Sequence, residues 1–321
     1  MAIPNLNTRA TPKPAAKSLW QEIWKARWCY VFMLPSLILT GMFTFYPIFA
    51  SWYFAFLDWS GFTASKTFVG LANFQEVMGD GLFWGAFRRS FIFMLVSVPL
   101  QMLLSLIVAI ILNDKALKLA PFFRTMFFIP VVTTTAIVGI VMSFIFSPFN
   151  GPINRILVNA GILSRPIDFL GSADTALWTV IGVFVWKWFG ITMIYWLASL
   201  QTVPADLYEA ARLDGAGRWA LFRYIIFPLL VPFAIVILLI TAVGSLNVFA
   251  LVQTMTGGGP FYSSEVMEVY IYRTAFGTGG GGSVPRLGYA SAAGVFFGLA
   301  VMVITLLQGL AVRGMRARRA S

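Results

Sequence analysis

Few side chains in this 321-residue chain are equipped for chemistry, and their types narrow what kind it is. There is no histidine, Cys29 is the one cysteine, and none of the 12 acidic residues lies deep within an apolar run. That excludes histidine acid–base catalysis, His/Cys metal centres and a disulfide framework. No Ser/His/Asp set is present, and no Gly-x-x-x-x-Gly-Lys-Ser/Thr loop cradles a nucleotide phosphate. The glycine run Gly279–Gly282 has no lysine and reads as a linker. What remains is non-covalent. Lys187, between Trp186 and Trp188, is a charge inside an apolar run; it faces a cavity or partner, or snorkels to the outer interface. Trp188 offers a ring for stacking on C–H faces or for packing. Thr241 and Ser245 share a helical face at spacing i, i+4, suiting either a polyol or a neighbouring helix, whereas Asn247 lies about 200° around from Ser245 and ranks below it. The polar stretch Glu209-Ala210-Ala211-Arg212-Leu213-Asp214-Gly215 completes the set.

The elements that position these residues follow from hydropathy. Hydrophobic residues make up 59% of the chain and charged ones 11%, against roughly 45–50% and 25% in soluble domains. A bilayer takes up that surface. Six runs are long enough for a helix to cross about 30 Å of hydrocarbon: 29–54, 91–112, 122–146, 177–200, 225–252 and 289–311. The expectation is an all-α polytopic membrane protein, kinked where Pro35, Pro47, Pro99, Pro130, Pro228 and Pro232 fall in or beside the runs. Thr133, Thr134 and Thr135 form a further polar patch in the third run, suited to helix packing. Residues 265–276 read as a short helix lying at the outer interface.

Lysine and arginine set the orientation. Fifteen fall in the tail 1–28, the loops 113–124 and 201–224 and the tail 312–321; seven fall in the opposite loops, and Lys187 is the last of the 23. This two-to-one bias places both termini and the 201–224 loop in the cytoplasm. It also accounts for the net charge of +11 without nucleic acid, since the basic residues lie in loops and tails rather than along one face.

Within the 201–224 loop, Pro204 suits a first helical turn, Asp206 sits at the positive end of the helix dipole and Asp214-Gly215 supplies a turn. A second helix is expected from about Gly217 to Pro228. By residue types alone the segment is either a solvated connector or a docking element. The order Glu-Ala-Ala, three residues, Gly, then an apolar stretch ending in Ile225-Ile226-Phe227-Pro228, resembles the EAA signature of permease subunits of ATP-binding-cassette importers. Further matches point to the carbohydrate branch, which includes maltose and glycerol-phosphate permease subunits. They are Tyr46-Pro47, Val69-Gly70-Leu71-Ala72-Asn73-Phe74, Phe128-Ile129-Pro130, Asn150-Gly151-Pro152-Ile153-Asn154, Thr256-Gly257-Gly258-Gly259-Pro260 and Gly288-Tyr289-Ala290-Ser291-Ala292.

The resemblance implies a type I importer permease fold, with a basic tail 1–28, a first helix 29–54, a five-helix transmembrane domain 86–311 and a basic tail 312–321. It implies a coupling helix in which Glu209 makes the polar contact, Ala210 and Ala211 give a flat surface, and Asp214 and Gly215 form the turn. It further implies residence in a bacterial or archaeal cytoplasmic membrane, a second homologous permease, a dimer of ATP-binding subunits holding ATP and Mg, and an extracytoplasmic sugar-binding protein. No cofactor is expected on this chain. By the same resemblance, span five lines the sugar pathway through Thr241, Ser245 and Asn247. The sequence departs from the maltose permease in lacking its long outer loop and in having Val248 where a polar residue is expected, and the solute stays open. The alternative is a self-sufficient secondary carrier or channel, which needs ion-coupling residues at mid-membrane; Lys187 is the one available.

Overall fold

The computed structural model describes residues 24–114, 116–278 and 284–320; the Gly279–Gly282 linker and most of the basic head lie outside them. The chain divides into two compact units, Met1–Ala50 and Ser51–Ser321. In the first, α1 (Arg27–Thr40) leads through a π-helical turn (Gly41–Phe45) into α2 (Tyr46–Phe54), a 28-residue apolar span, Arg27–Phe54. The π turn has a local cause. Pro47 carries no N–H for the carbonyl four residues back, that of Phe43, and the wider turn absorbs the missing bond.

The second unit takes in the end of α2 from Ser51 and continues with a small antiparallel pair, β1 (Leu57–Asp58) with β2 (Thr67–Phe68), in the register Leu57↔Phe68 and Asp58↔Thr67. Then follow α3 (Ala72–Gly79), α4 (Gly81–Leu112), α5 (Ala120–Val132), α6 (Thr135–Ile145), α7 (Pro152–Asn159) and α8 (Ala176–Leu200). After these come α9 (Ala205–Leu213), α10 (Arg218–Leu221), α11 (Phe227–Gly244), α12 (Phe249–Met255), α13 (Met267–Phe276) and α14 (Leu287–Ala320). The fold is all-α, and the described residues hold five helices long and apolar enough to span a membrane and a sixth candidate made of two pieces.

Helix α8 is the axis of the unit, with more than half of its most apolar window buried. Its upper half joins Phe93, Leu251 and Val252 in one hydrophobic cluster, and its lower half joins Ala109, Ala120, Ile226 and Leu230 in another. At Gly190 it meets α5 so closely that an added Cβ would lie 2.1 Å from the Phe127 carbonyl oxygen. A third cluster gathers Phe83, Ala86, Met267, Tyr270, Tyr289 and Ala292. Helix α4, capped by Asp80 Oδ1 accepting from the Leu82 and Phe83 amides (2.7 and 3.3 Å), passes through all three clusters.

Several expectations are corrected. Span two begins ten residues before Phe91, because that cap starts the helix at Gly81. The third run is two helices, α5 and α6, meeting at 99°. Thr133 and Thr134 take extended conformations there (ψ 139° and 129°), so the threonine patch is the break itself. The fifth run, read as ending at 252, stops at Gly244 and restarts as α12 at Phe249. At its other end α10 does not stop at Pro228: a second π turn, Phe222–Ile226, absorbs that proline as the first absorbs Pro47, and one helix runs Trp219–Gly244.

The short helix 265–276 is present as Met267–Phe276, but it does not lie on a surface. Met267, Val269, Tyr270 and Ala275 are buried, and Glu265 just before it is fully buried against Arg273 at 2.6 Å. Its packing partners are α4 and α14.

Candidate functional site

The Glu209 segment forms a single compact device. Helix α9 starts directly after Pro204 with Asp206 in its first turn. It ends where the Asp214 amide donates to the Ala210 carbonyl (3.0 Å) and the Ala216 amide to that of Ala211 (2.9 Å). Gly215 makes that closure at φ +77°, a left-handed conformation that favours glycine. The predicted residues part company here. Glu209, Ala210 and Asp214 are exposed, while Ala211 is buried in its own chain. The flat outer surface is therefore completed by two residues that sequence reasoning passed over, Leu207 and Leu213, of which Leu213 is 89% exposed. Tyr208 anchors the inner side. Its ring, like Leu221 and Phe222, packs against the lower cluster, its hydroxyl is buried with no hydrogen-bond partner among the described residues, and burial raises its pKa.

Lys187 occupies none of the places foreseen for it. It is fully buried, facing neither lipid nor a cavity. Its ammonium donates to the carbonyls of Pro130 (3.0 Å), Val131 (3.4 Å) and Thr133 (2.7 Å) and stands 4.6 Å from the Trp188 ring. The 99° break leaves carbonyls without helical donors, and one cation from α8 serves three of them. Trp188 packs against the upper cluster, and its carbonyl accepts from Gln101 Nε2 (3.2 Å).

The hydroxyls of span five are also spent internally. Thr241 Oγ1 donates to the Ile237 carbonyl (2.8 Å) and Ser245 Oγ to that of Ala242 (2.8 Å), and both residues are buried. Asn247 is exposed, reversing the expected ranking. The reason is the helix end at Gly244: the ideal-helix angle of about 200° no longer applies to a residue in the irregular link 245–248.

That link is held by Glu268, whose Oε2 accepts from the amides of Val248 (2.7 Å) and Phe249 (2.6 Å), satisfying two donors at the start of α12. Burial pushes the Glu268 carboxyl above its usual pKa, and the two amides pull it back. Asn247 and Glu268 open onto a cleft of about 590 Å³ whose walls include Phe249, Tyr272, Phe276 and Ser291. The rings run in series, Phe249 to Tyr272 at 4.9 Å and Tyr272 to Phe276 at 5.0 Å between centroids. Sequence reasoning missed Glu268 and Tyr272. The available signal was the amphipathic segment 265–276 itself, in which Glu268 points at the link that follows span five.

The frame around the cleft is tied by Asp80. Its Oδ2 accepts from the hydroxyls of Tyr270 (2.5 Å) and Tyr289 (2.6 Å), joining α13 and α14 to the start of α4. Burial works against the carboxylate, but those hydroxyls and the Leu82 and Phe83 amides outweigh it and hold Asp80 below its usual pKa.

Chains of similar sequence and of similar fold are known. The chain is 34% identical over 280 residues to the probable ABC transporter permease protein YurN of Bacillus subtilis, covering 87% of this chain and 94% of that one. It is 32% identical over 286 residues to the lactose transport system permease protein LacF of Rhizobium radiobacter, covering 88% and 93%. Its fold matches a chain of a bacterial alginate ABC transporter solved in complex with an alginate pentasaccharide-bound periplasmic protein, at a TM-score of 0.77 and 24% identity, covering 93% and 98%. Residues 78–317 match a family described as Binding-protein-dependent transport system inner membrane component, and the chain belongs to that family.

Proposed function

We propose that this permease forms half of the translocation pathway of an ATP-driven sugar importer in a bacterial or archaeal cytoplasmic membrane. Both termini and α9 face the cytoplasm, in keeping with the lysine and arginine bias. A second, similar permease encloses the other half, two ATP-binding subunits holding ATP and Mg stand below, and an extracytoplasmic binding protein delivers the solute. The lactose transport relative and the alginate transporter with its periplasmic protein support the solute class and the partners.

The observation that carries the reading is the closed helix-and-turn of α9 with Glu209, Ala210 and Leu213 turned outward. Small and apolar side chains let another protein approach the backbone, and Glu209 offers a charge to a basic partner. The Gly215 closure and the half-buried Tyr208 ring make it a stiff lever. Closure of the ATP-binding subunits pulls this lever, and the spans rearrange around Asn247 and its cleft, which form this chain's wall of the pathway. Thr241, Ser245, Lys187 and Trp188 then support the wall from behind.

The rival reading, a self-sufficient carrier, depended on Lys187 as its intramembrane charge. That ammonium is committed to three carbonyls, which weighs against it. The test is sugar uptake and ATPase activity of the co-expressed complex in liposomes. Uptake should require the ATP-binding subunits, and Glu209→Lys should abolish it while leaving membrane insertion intact. Transport without those subunits would falsify the proposal.

A further inference from the structure

The cleft beside Asn247 carries information about the charge of what passes. Among the described residues that line it, Glu268 is the one group charged at neutral pH. Its Oε2 is held by the Val248 and Phe249 amides, and its Oε1 has no hydrogen-bond partner among the described residues. Among the described residues, no basic side chain lines the cleft to offset it. Three guanidinium groups on neighbouring elements are engaged elsewhere. Arg273 pairs with Glu265 at 2.6 Å and lies over the Tyr262 ring, Arg286 pairs with Glu76 at 2.6 Å, and Arg89 donates to the Glu265 carbonyl at 2.8 Å.

The remaining lining suits an uncharged polyol. Phe249, Tyr272 and Phe276 present a series of ring faces and edges for C–H groups, and the Asn247 amide and Ser291 hydroxyl supply hydrogen bonds. A phosphate or carboxylate entering here meets a fixed like charge in a partly desolvated recess, where Coulomb repulsion is weakly screened. We infer that Glu268 is a specificity-determining residue that makes this wall of the pathway select neutral saccharides over uronates and sugar phosphates. The inference rests on the reading of the cleft as pathway.

The test is equilibrium binding to the purified, detergent-solubilised importer without its binding protein, so that delivery does not filter the probes. Glucose, galactose, mannose and cellobiose are each paired with the uronate in which one hydroxymethyl is a carboxylate. The uronate of any pair that binds should be weaker by about tenfold or more, the size expected of a like-charge contact in an intermediate dielectric. Its methyl ester, which removes the ligand's charge and needs no protein variant, should regain the neutral affinity. Glu268→Gln keeps an acceptor for the two amides, and it should narrow the gap to within about threefold. Equal binding of sugar and uronate in the wild type, a methyl ester as weak as the uronate, or an unchanged gap in Glu268→Gln each overturns the assignment while leaving the pathway reading standing. No binding by either member of any pair, together with wild-type ATP-driven uptake by Asn247→Ala, rejects the pathway reading and this assignment with it.

Discussion

The Lys187 ammonium stands 2.7 Å from the carbonyl oxygen of Thr133, at the corner where two helices meet at 99°. Thr133 and Lys187 are 54 residues apart, so the corner is held by α8 and not by its own segment. Replacing Lys187 with methionine keeps the volume of the stem and strands three part-buried carbonyls. The expected cost is about 3 kcal/mol, since each loses a charge-assisted bond with no water to replace it. The check is thermal unfolding of the solubilised complex, which should fall by several degrees. Solute affinity measured on the surviving protein should stay within about twofold; a selective change in affinity would return Lys187 to the pathway.

Asn247 and Ser245 make opposite predictions two residues apart. Asn247→Ala should reduce ATP-driven uptake by about tenfold, the order of one or two lost polar contacts to a bound solute. Ser245→Ala should leave uptake within about twofold, because its hydroxyl already donates to the Ala242 carbonyl and its side chain is buried. Uptake rates of the two variants at matched expression decide the matter, and the reverse order would restore the hydroxyl stripe of span five as the solute contact.

How much of this was legible in the sequence depended on how local the cause was. Six apolar runs announced five spans and a sixth candidate in two pieces because hydropathy measures partition into lipid, and every residue contributes its share without reference to its neighbours in space. Hydropathy is blind to direction. Pro130 signalled a disturbance in the third run, but a right-angle corner needs donors for the freed carbonyls, and Lys187 supplies them from another helix. The fifth run stays apolar through Val252, yet the helix ends at Gly244 because Glu268, some twenty residues further on, satisfies the amides that start α12. The Glu209 segment was readable down to its turn, since a helix start at Pro204 and a glycine closure are local chemistry. Which alanine faces outward was not, because the packing of Tyr208 sets the rotation of α9.

Asp80 predicts a pH dependence. Its carboxylate is held below its ordinary value in the folded chain, so folding favours the ionised form. The stabilisation is present above the unfolded pKa of 3.8 and is lost as pH falls through the lower folded value. Thermal unfolding followed from pH 7 to pH 3 should therefore show a destabilisation in the acid range that Asp80→Asn lacks, the variant being less stable than the wild type at pH 7. Parallel curves for the two proteins would remove Asp80 as the tie between α4, α13 and α14.

Gly215 separates stiffness from shape in the lever. Its φ of +77° costs a residue with a Cβ roughly 1 kcal/mol, more if β-branched, and asparagine less. An added Cβ would meet nothing within 4 Å, so any effect comes from the backbone and not from a clash. Gly215→Val should therefore distort the closure of α9 and lower solute-stimulated ATPase activity several-fold, with insertion and basal fold intact. Gly215→Asn, which tolerates the left-handed region, should remain close to wild type. If a rigid turn transmits the motion, the two variants differ; if α9 only has to touch its partner, both behave alike. The ratio of stimulated to basal ATPase activity of the reconstituted complex reads the difference directly, because the amount of protein in the membrane cancels from it.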